Sequence, residues 1–184
     1  MKKLILIFCF LTPVLHYGQQ IADTVYNPPL ANPAYAAGEG PLIGIDEGHF
    51  NFHTKDGRYA PFTRLLQRDG YQVASFSSIF TDSALSGIDI LVISNALHES
   101  NWGAWHLPVV SAFTPTEIAT IHDWVEGGGA LFLIADHMPM AGAAEALASS
   151  FGFEFTNGFV VDTTRQGPIL FTRANHMLHS NVIT

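Results

Sequence analysis

The sequence predicts one α/β domain, a doubly wound and mostly parallel sheet with helices on both of its faces. Short apolar runs alternate along the chain with amphipathic segments of helical period, which is the pattern of repeated strand–helix units. Two of these runs contain four or more consecutive apolar side chains, as strands buried on both faces do. Of the 184 residues, 48% are hydrophobic and 12% aromatic, so the chain has enough apolar surface to form a core.

The first half of the domain contains two predicted strands and one helix. Residues 42–46 and 71–76 are short apolar runs bounded by turn residues, and we expect both to be strands. Between them, residues 58–69 have helical spacing and end at Gly70. The apolar face of this helix comprises Tyr59, Phe62, Leu65 and Leu66.

The second half begins with an aliphatic stretch at residues 88–94, which predicts a central strand. The next clear helix starts at Thr114, which forms a capping-box pattern with Glu117, and it ends at the glycine run 127–129. Its apolar stripe comprises Ile118, Ile121, Trp124 and Val125.

Residues 130–135 predict a further buried strand, and the alanine-rich residues 141–151 predict a helix that ends at Gly152. Three strand-like stretches follow without a closing helix, at residues 153–155, 159–161 and 169–171. Because the chain stops soon after the last of them, we expect the domain to be incomplete at its C-terminal end.

The N-terminal segment predicts export. Residues 1–18 have a positively charged start and an apolar run too short to span a bilayer comfortably, which is typical of a signal peptide. We expect a periplasmic or extracellular protein that is not held in a membrane once this segment is removed. Residues 19–41 are rich in Pro, Ala, Gly and Asn and predict an exposed leader, so residues 42–184 form the domain.

Charge and cysteine content exclude two classes of function. Without residues 1–18 the chain has six basic and sixteen acidic side chains, a formal charge of −10, and no cysteine. Nucleic acid is therefore not an expected partner, because affinity for phosphate backbones comes from cationic side chains. An exported chain without cysteine also has neither disulfides nor a thiol nucleophile.

Polar side chains collect where the predicted strands end. Asp46, His49 and His53 follow the first strand, and Asp136 and His137 follow the fourth. In an open parallel sheet, ligands bind outside the carboxyl ends of the strands. These five residues are therefore the candidate site residues, and a small polar molecule is the expected ligand.

Three interpretations of these residues remain open. Imidazole and carboxylate side chains suit a divalent metal such as zinc, for which all five are candidate ligands. A metal-free acid–base site would use Asp46, His49, Asp136 and His137, because a carboxylate can orient a histidine for proton transfer. The third interpretation is structural: the histidines pack among aromatic rings, while Asp46 caps a turn and Asp136 caps the following helix.

Two stretches carry a resemblance to a known family. Residues 124–137 read Trp-Val-Glu-Gly-Gly-Gly-Ala-Leu-Phe-Leu-Ile-Ala-Asp-His, and residues 46–53 read Asp-Glu-Gly-His-Phe-Asn-Phe-His. Over residues 42–162 the chain resembles the class I glutamine amidotransferase-like superfamily, in particular exported bacterial members of unknown function and the trehalose-utilisation-like branch. The resemblance implies a flavodoxin-like sheet with a polar residue at the elbow after the strand.

The chain departs from that family where amidotransferases carry their nucleophilic cysteine. Asp136 and His137 occupy this elbow, and Cys9 lies in the signal peptide. Glutamine hydrolysis by a thiolate is therefore excluded. We expect a domain without amidotransferase activity that binds a small polar, carbohydrate-like ligand, with metal-assisted or acid–base hydrolysis as its chemistry if it is an enzyme. The alternative is a non-catalytic recognition domain of a cell-envelope assembly, with an exposed apolar patch around Trp102, Trp105 and Phe113.

Overall fold

The computed structural model describes residues 21–164, 167 and 169–181. Its sheet has four strands, all parallel, in the order β2-β1-β3-β4. The strands are β1 (Leu42–Asp46), β2 (Gln72–Phe76), β3 (Ile90–Ser94) and β4 (Ala130–Ile134). The predicted α/β, doubly wound class is confirmed, and the described sheet is parallel throughout.

Four helices connect or follow the strands: α1 (Ala60–Arg68), α2 (Asp82–Leu85), α3 (Pro115–Glu126) and α4 (Met140–Ser150). The three longer helices were predicted, with bounds that differ from the observed ones by one or two residues. The short helix α2 and a 3₁₀ turn at Glu99–Asn101 were not predicted, because neither is long enough to show a helical period.

The sheet is covered on both faces, which is why its central strands are apolar throughout. On one face, Ile43, Ile45 and Val92 are buried beneath α1 side chains that include Phe62 and Leu66. On the other face, a larger core is formed with α2, α3 and α4. Its buried members include Leu85, Leu91, Ile93, Ile121 and Leu147.

Strand register brings the carboxyl ends of the strands to one edge of the sheet. Asp46 at the end of β1 pairs with Phe76 of β2, and Ser94 at the end of β3 pairs with Ile134 of β4. The residues that follow β1, β3 and β4 therefore meet at this edge, which we call the carboxyl edge. Ligands are expected here in a parallel open sheet.

The C-terminal prediction was wrong in one respect. Residues 153–155, 159–161 and 169–171 form no strand among the described residues. In the described structure β4 is consequently an edge strand, and Phe132 at its centre is 52% exposed. Apolar runs of only three residues give too little pattern to tell a strand from an extended loop.

The end of the leader packs against the turn between α1 and β2. The Gly40 amide donates to the Gly70 carbonyl at 2.9 Å, and the rings of Tyr35 and Tyr71 meet edge to face with centroids 5.1 Å apart. Gly70 has φ +95°, and a Cβ there would lie 2.3 Å from the Tyr35 carbonyl oxygen. The leader is thus exposed over most of its described length but anchored near its end.

The predicted signal peptide, residues 1–18, lies outside the described residues. Within the described part of the chain, the helices are all too short or too polar to cross a bilayer.

Candidate functional site

Three ionisable side chains form a chain of contacts beneath the carboxyl edge. His49 Nδ1 lies 2.9 Å from Asp46 Oδ1, and His49 Nε2 lies 3.0 Å from Glu117 Oε1. All three residues are buried, with exposed fractions of 0% for Asp46, 7% for His49 and 6% for Glu117. We call them the buried triad. It connects the end of β1 to the first turn of α3.

Both oxygens of the Asp46 carboxylate have hydrogen-bond partners inside the protein. Its Oδ1 accepts the Gly48 amide at 3.1 Å as well as facing His49, and its Oδ2 accepts Asn51 Nδ2 at 2.8 Å. A buried carboxylate needs such partners because its desolvation is costly.

The Glu117 carboxylate is equally well supplied with donors. Its Oε1 accepts the Phe80 amide at 3.2 Å, and its Oε2 accepts the Thr114 amide and hydroxyl at 3.0 and 2.8 Å. Glu117 therefore completes the predicted capping box of α3 and contacts His49 with the same side chain.

Both ring nitrogens of His49 face carboxylate oxygens, and with both carboxylates ionised this geometry favours the doubly protonated imidazolium, which can donate to each. Burial alone would lower the pKa of His49, but the hydrogen bonds to Asp46 and Glu117 and their negative charges outweigh it and raise this pKa. Burial likewise opposes ionisation of Glu117, yet hydrogen bonds from Thr114 and His49 lower its pKa. The triad is thus an ion-paired unit.

Aromatic rings enclose the imidazolium. The Phe80 ring stacks on His49 with centroids 4.5 Å apart and planes 13° apart, and the Phe113 ring lies 5.1 Å away. With both nitrogens in contact with carboxylates and only 7% of the residue exposed, His49 offers neither a lone pair nor an open surface to a ligand. The triad therefore holds the fold together at the carboxyl edge rather than contacting ligands.

The exposed part of the edge is organised around Asn95, the residue after β3. Its side-chain Nδ2 donates to Asp136 Oδ2 at 2.7 Å, and its Oδ1 accepts the Asp136 amide at 3.0 Å. Asn95 is itself fully buried, whereas Asp136 is exposed. The Asp136 carboxylate is therefore held in place at the surface, with one oxygen bonded to Asn95.

His53 lies close to Asp136 and has few polar contacts. Its ring stacks on Tyr59 with centroids 4.7 Å apart, and its Nδ1 is buried without a hydrogen-bond partner. Burial lowers the pKa of His53, the negative charge of Asp136 opposes this, and the positive charge of Arg58 adds to the lowering. His53 is consequently a neutral imidazole near pH 7.

His137 belongs to an exposed aromatic group. Its ring stacks on Phe159 with centroids 4.5 Å apart, and the Trp105 ring lies 5.2 Å away. Trp105 is 47% exposed and Phe159 is 59% exposed. We call Trp105, His137 and Phe159 the aromatic rim. Rings of this kind offer flat apolar surface next to polar groups.

The five residues predicted for the site therefore separate into two groups. Asp46 and His49 belong to the buried triad, whereas His53, Asp136 and His137 lie at the exposed part of the carboxyl edge. The five do not fit one metal centre in this arrangement, because both His49 nitrogens contact carboxylates and the Asp46 oxygens are bonded inside the protein.

Among the described residues, three side chains on the surface of α3 bring potential ligand atoms within 4.8 Å of one another: His122, Asp123 and Glu126. None of them belongs to the predicted set. Clusters of this composition are ordinary on exposed helices.

Two of the structural expectations for this region were wrong. Asp136 does not cap α4, since the N-cap position is Pro139 and no side chain bonds there. Phe113 is 3% exposed and cannot belong to a surface patch, although Trp102 and Trp105 are half exposed.

Sequence reasoning did not select Glu117, Asn95 or Tyr59 as site residues. Glu117 was recognised only for its capping role, because its contact with His49 spans 68 residues and leaves no local signal. Asn95 did carry a signal. Asparagine tolerates positive φ, so its position directly after a buried strand could have indicated a sharp turn at the carboxyl edge. Tyr59 donates or accepts a hydrogen bond with Ser94 at 2.8 Å, but its helical spacing indicated only a core position.

Comparison with known proteins does not place the chain in a family. No family model matches it, and no curated protein matches it. A solved structure titled "mmIFT52 N-terminal domain" is similar at 15% sequence identity and a TM-score of 0.40, with 52% of this chain and 36% of that chain covered. This chain thus spans about a third of the length of that structure.

Proposed function

We propose that the carboxyl edge binds a small polar ligand of carbohydrate type at Asp136, His53 and the aromatic rim. The observation that carries this proposal is an exposed carboxylate, held by a buried asparagine, beside the His53 imidazole and half-exposed rings. Small-molecule sites combine aromatic surface with a few well-placed polar groups. A sugar ring offers the matching surface, with apolar faces for the rings and hydroxyl groups for the carboxylate.

Acid–base hydrolysis is the chemistry that these residues would support if the protein is an enzyme. His53 is neutral near pH 7 and can accept a proton, and the neighbouring Asp136 charge would stabilise the resulting imidazolium. Asp46 and His49 have no part in this step, because they are buried and bonded to each other and to Glu117. Binding is the primary proposal and hydrolysis an extension of it.

The wider context is part of the same proposal. A glutamine amidotransferase-like domain without amidotransferase activity agrees with the elbow at Asp136 and His137, where no thiol is present. Export to the periplasm or beyond rests on the N-terminal sequence, and it would give the site access to sugars outside the cytoplasm.

Binding can be tested with a panel of neutral mono- and disaccharides, using isothermal titration calorimetry and saturation-transfer NMR. We expect Trp105→Ala and Asp136→Asn each to weaken the affinity about tenfold, as loss of one good contact does. Trp102→Ala and Asp123→Asn are the matched controls, because Trp102 is equally exposed and packs against Phe50 instead. The proposal fails if no saccharide binds, or if the control variants weaken binding as much as the site variants.

One observation favours the alternative, a non-catalytic recognition domain. The edge strand β4 borders an apolar cavity of about 390 Å³ whose lining includes Phe132, Phe151, Phe153 and Phe155. Exposed apolar strand edges are common places for another chain to add. This function predicts a partner in the cell envelope whose binding is lost in Phe132→Lys and retained in Trp105→Ala.

A further inference from the structure

We propose that Asn95 is the positioning residue of the carboxyl edge, which fixes the Asp136 carboxylate relative to His53. This inference rests on the proposed function, because it assigns Asn95 a role in presenting the ligand-binding carboxylate. It goes beyond that function by naming a buried residue that touches no ligand and yet determines how well the ligand is held.

Asn95 ties together the segments that follow three strands. Its amide donates to the Ile134 carbonyl at 2.9 Å, at the end of β4. Its carbonyl accepts the Phe52 amide at 3.1 Å, in the segment after β1. Its side chain makes the two-way contact with Asp136. Because Phe52 directly precedes His53, a single residue sets the relative positions of His53 and Asp136.

Only asparagine satisfies all the requirements at this position. The residue has φ +50°, a conformation that glycine, asparagine and aspartate tolerate better than other residues. Glycine has no side chain to hold Asp136. Aspartate has no donor for Asp136 Oδ2 and would place a second negative charge against it. Asparagine alone combines the backbone conformation with one donor and one acceptor.

The contact leaves Asp136 able to bind a ligand. Asn95 occupies Oδ2, and among the described residues Asp136 Oδ1 has no hydrogen-bond partner. The carboxylate is therefore restrained in orientation while one oxygen stays open. Restraining a group before binding increases affinity, since less conformational freedom is lost when the ligand arrives.

The first experiment needs no ligand. We expect Asn95→Asp to lower the melting temperature by about 5 °C, because a hydrogen bond is replaced by a repulsive carboxylate pair. Adding Asp136→Asn should restore most of this loss, because an amide at position 136 can donate to the carboxylate at position 95. Asn32→Asp, the same change at an exposed asparagine of the leader, should leave the melting temperature within about 1 °C.

The second experiment measures saccharide affinity by calorimetry. We expect Asn95→Gly to weaken binding about tenfold, because glycine keeps the backbone conformation and removes the restraint on Asp136. The double variant Asn95→Asp with Asp136→Asn should be nearly as stable as the wild type and bind only as well as Asp136→Asn alone. A purely structural asparagine would instead give normal affinity in Asn95→Gly, where Asp136 is retained.

The outcomes separate the two proposals. If the double variant shows no recovery of melting temperature, the positioning role of Asn95 is overturned whatever the binding data show. If saccharides bind the wild type and Asn95→Gly equally well, the positioning role is also overturned and the proposed function stands. If the melting temperatures show the recovery and no saccharide binds any variant, the proposed function fails while the contact that restrains Asp136 is supported.

Discussion

His49 and Glu117 are 68 residues apart in the sequence, and their side chains meet at 3.0 Å in the interior. The contact joins the segment after the first strand to the first turn of α3. It also explains why Glu117 is buried although it is charged. Its carboxylate pairs with the His49 imidazolium and at the same time caps the first turn of α3.

The stability of the protein should depend on pH through this contact. The pKa of Glu117 is lowered from 4.5, so its contribution is present above pH 4.5 and is lost as pH falls through its folded-state pKa. The pKa of His49 is raised from 6.5, so its contribution is present below pH 6.5 and is lost as pH rises through its folded-state pKa. Both contributions are fully present between pH 4.5 and 6.5. We therefore expect the triad to add most to the free energy of unfolding, measured with urea, in this range.

The matched comparison for this pH profile is Glu117→Gln against Glu126→Gln. Both substitutions lie in α3, but Glu126 is exposed. The difference in free energy of unfolding between wild type and Glu117→Gln should be greatest between pH 4.5 and 6.5 and smaller on either side. The pKa of His53 is also shifted, but its effect on stability is the same in both proteins and cancels in the difference. A pH-independent difference would contradict the ion-paired state of the triad.

Removing the imidazolium should be the most damaging substitution in the triad. His49→Gln leaves two buried carboxylates without their shared positive charge, and we expect a loss of about 3–5 kcal/mol in the free energy of unfolding. His122→Gln, on the half-exposed side of α3, should cost less than about 1 kcal/mol. Guanidinium unfolding of the two variants checks this, and similar small losses in both would show that His49 is not ion-paired.

Two helix caps offer a graded test of local structure. Thr114 caps α3 and also donates its hydroxyl to Glu117, whereas Thr81 caps only the four-residue helix α2. We expect Thr114→Ala to cost about 2 kcal/mol and Thr81→Ala about 0.5–1 kcal/mol. Equal losses in denaturant unfolding would mean that the Thr114 hydroxyl contributes nothing through Glu117.

Alanine substitutions at Gly70 and Gly152 distinguish the cost of steric crowding from the cost of an unfavourable backbone conformation. Both have positive φ, at +95° and +80°, but only Gly70 lies against the leader, where an added Cβ would be 2.3 Å from the Tyr35 carbonyl oxygen. Gly152→Ala should cost about 1 kcal/mol for its conformation alone. Gly70→Ala should cost clearly more and should expose the leader to limited proteolysis, and equal losses with no new cleavage would contradict the packing of Tyr35 on this turn.

The sheet and the three longer helices were predictable because their signals are local. The strands around Leu91 and Leu131 are continuous apolar runs, and α3 has both a capping box and a glycine stop. The order of strands and the length of α2 had no such signal. The stretches after Gly152 looked like strands from their composition, but the described residues there pair with no strand.

The candidate site was predictable in place but not in arrangement. Strand ends located Asp46, His49 and Asp136 at the carboxyl edge, as parallel topology requires. The sequence could not show that His49 turns inward to Glu117 while Asp136 turns outward beside Asn95. That division depends on two long-range contacts. Asn95 and Asp136 are separated by 41 positions, and His49 and Glu117 by 68, so local periodicity carries no signal of either.

The long sequence separation within the buried triad also has a kinetic consequence. His49 can meet Glu117 only after the strands between them have formed, so the contact should close late in folding. Substitutions at Glu117 are then expected to accelerate unfolding far more than they slow folding. Such a late contact would lengthen the lifetime of the native state, because it is lost on the way to the unfolding transition state.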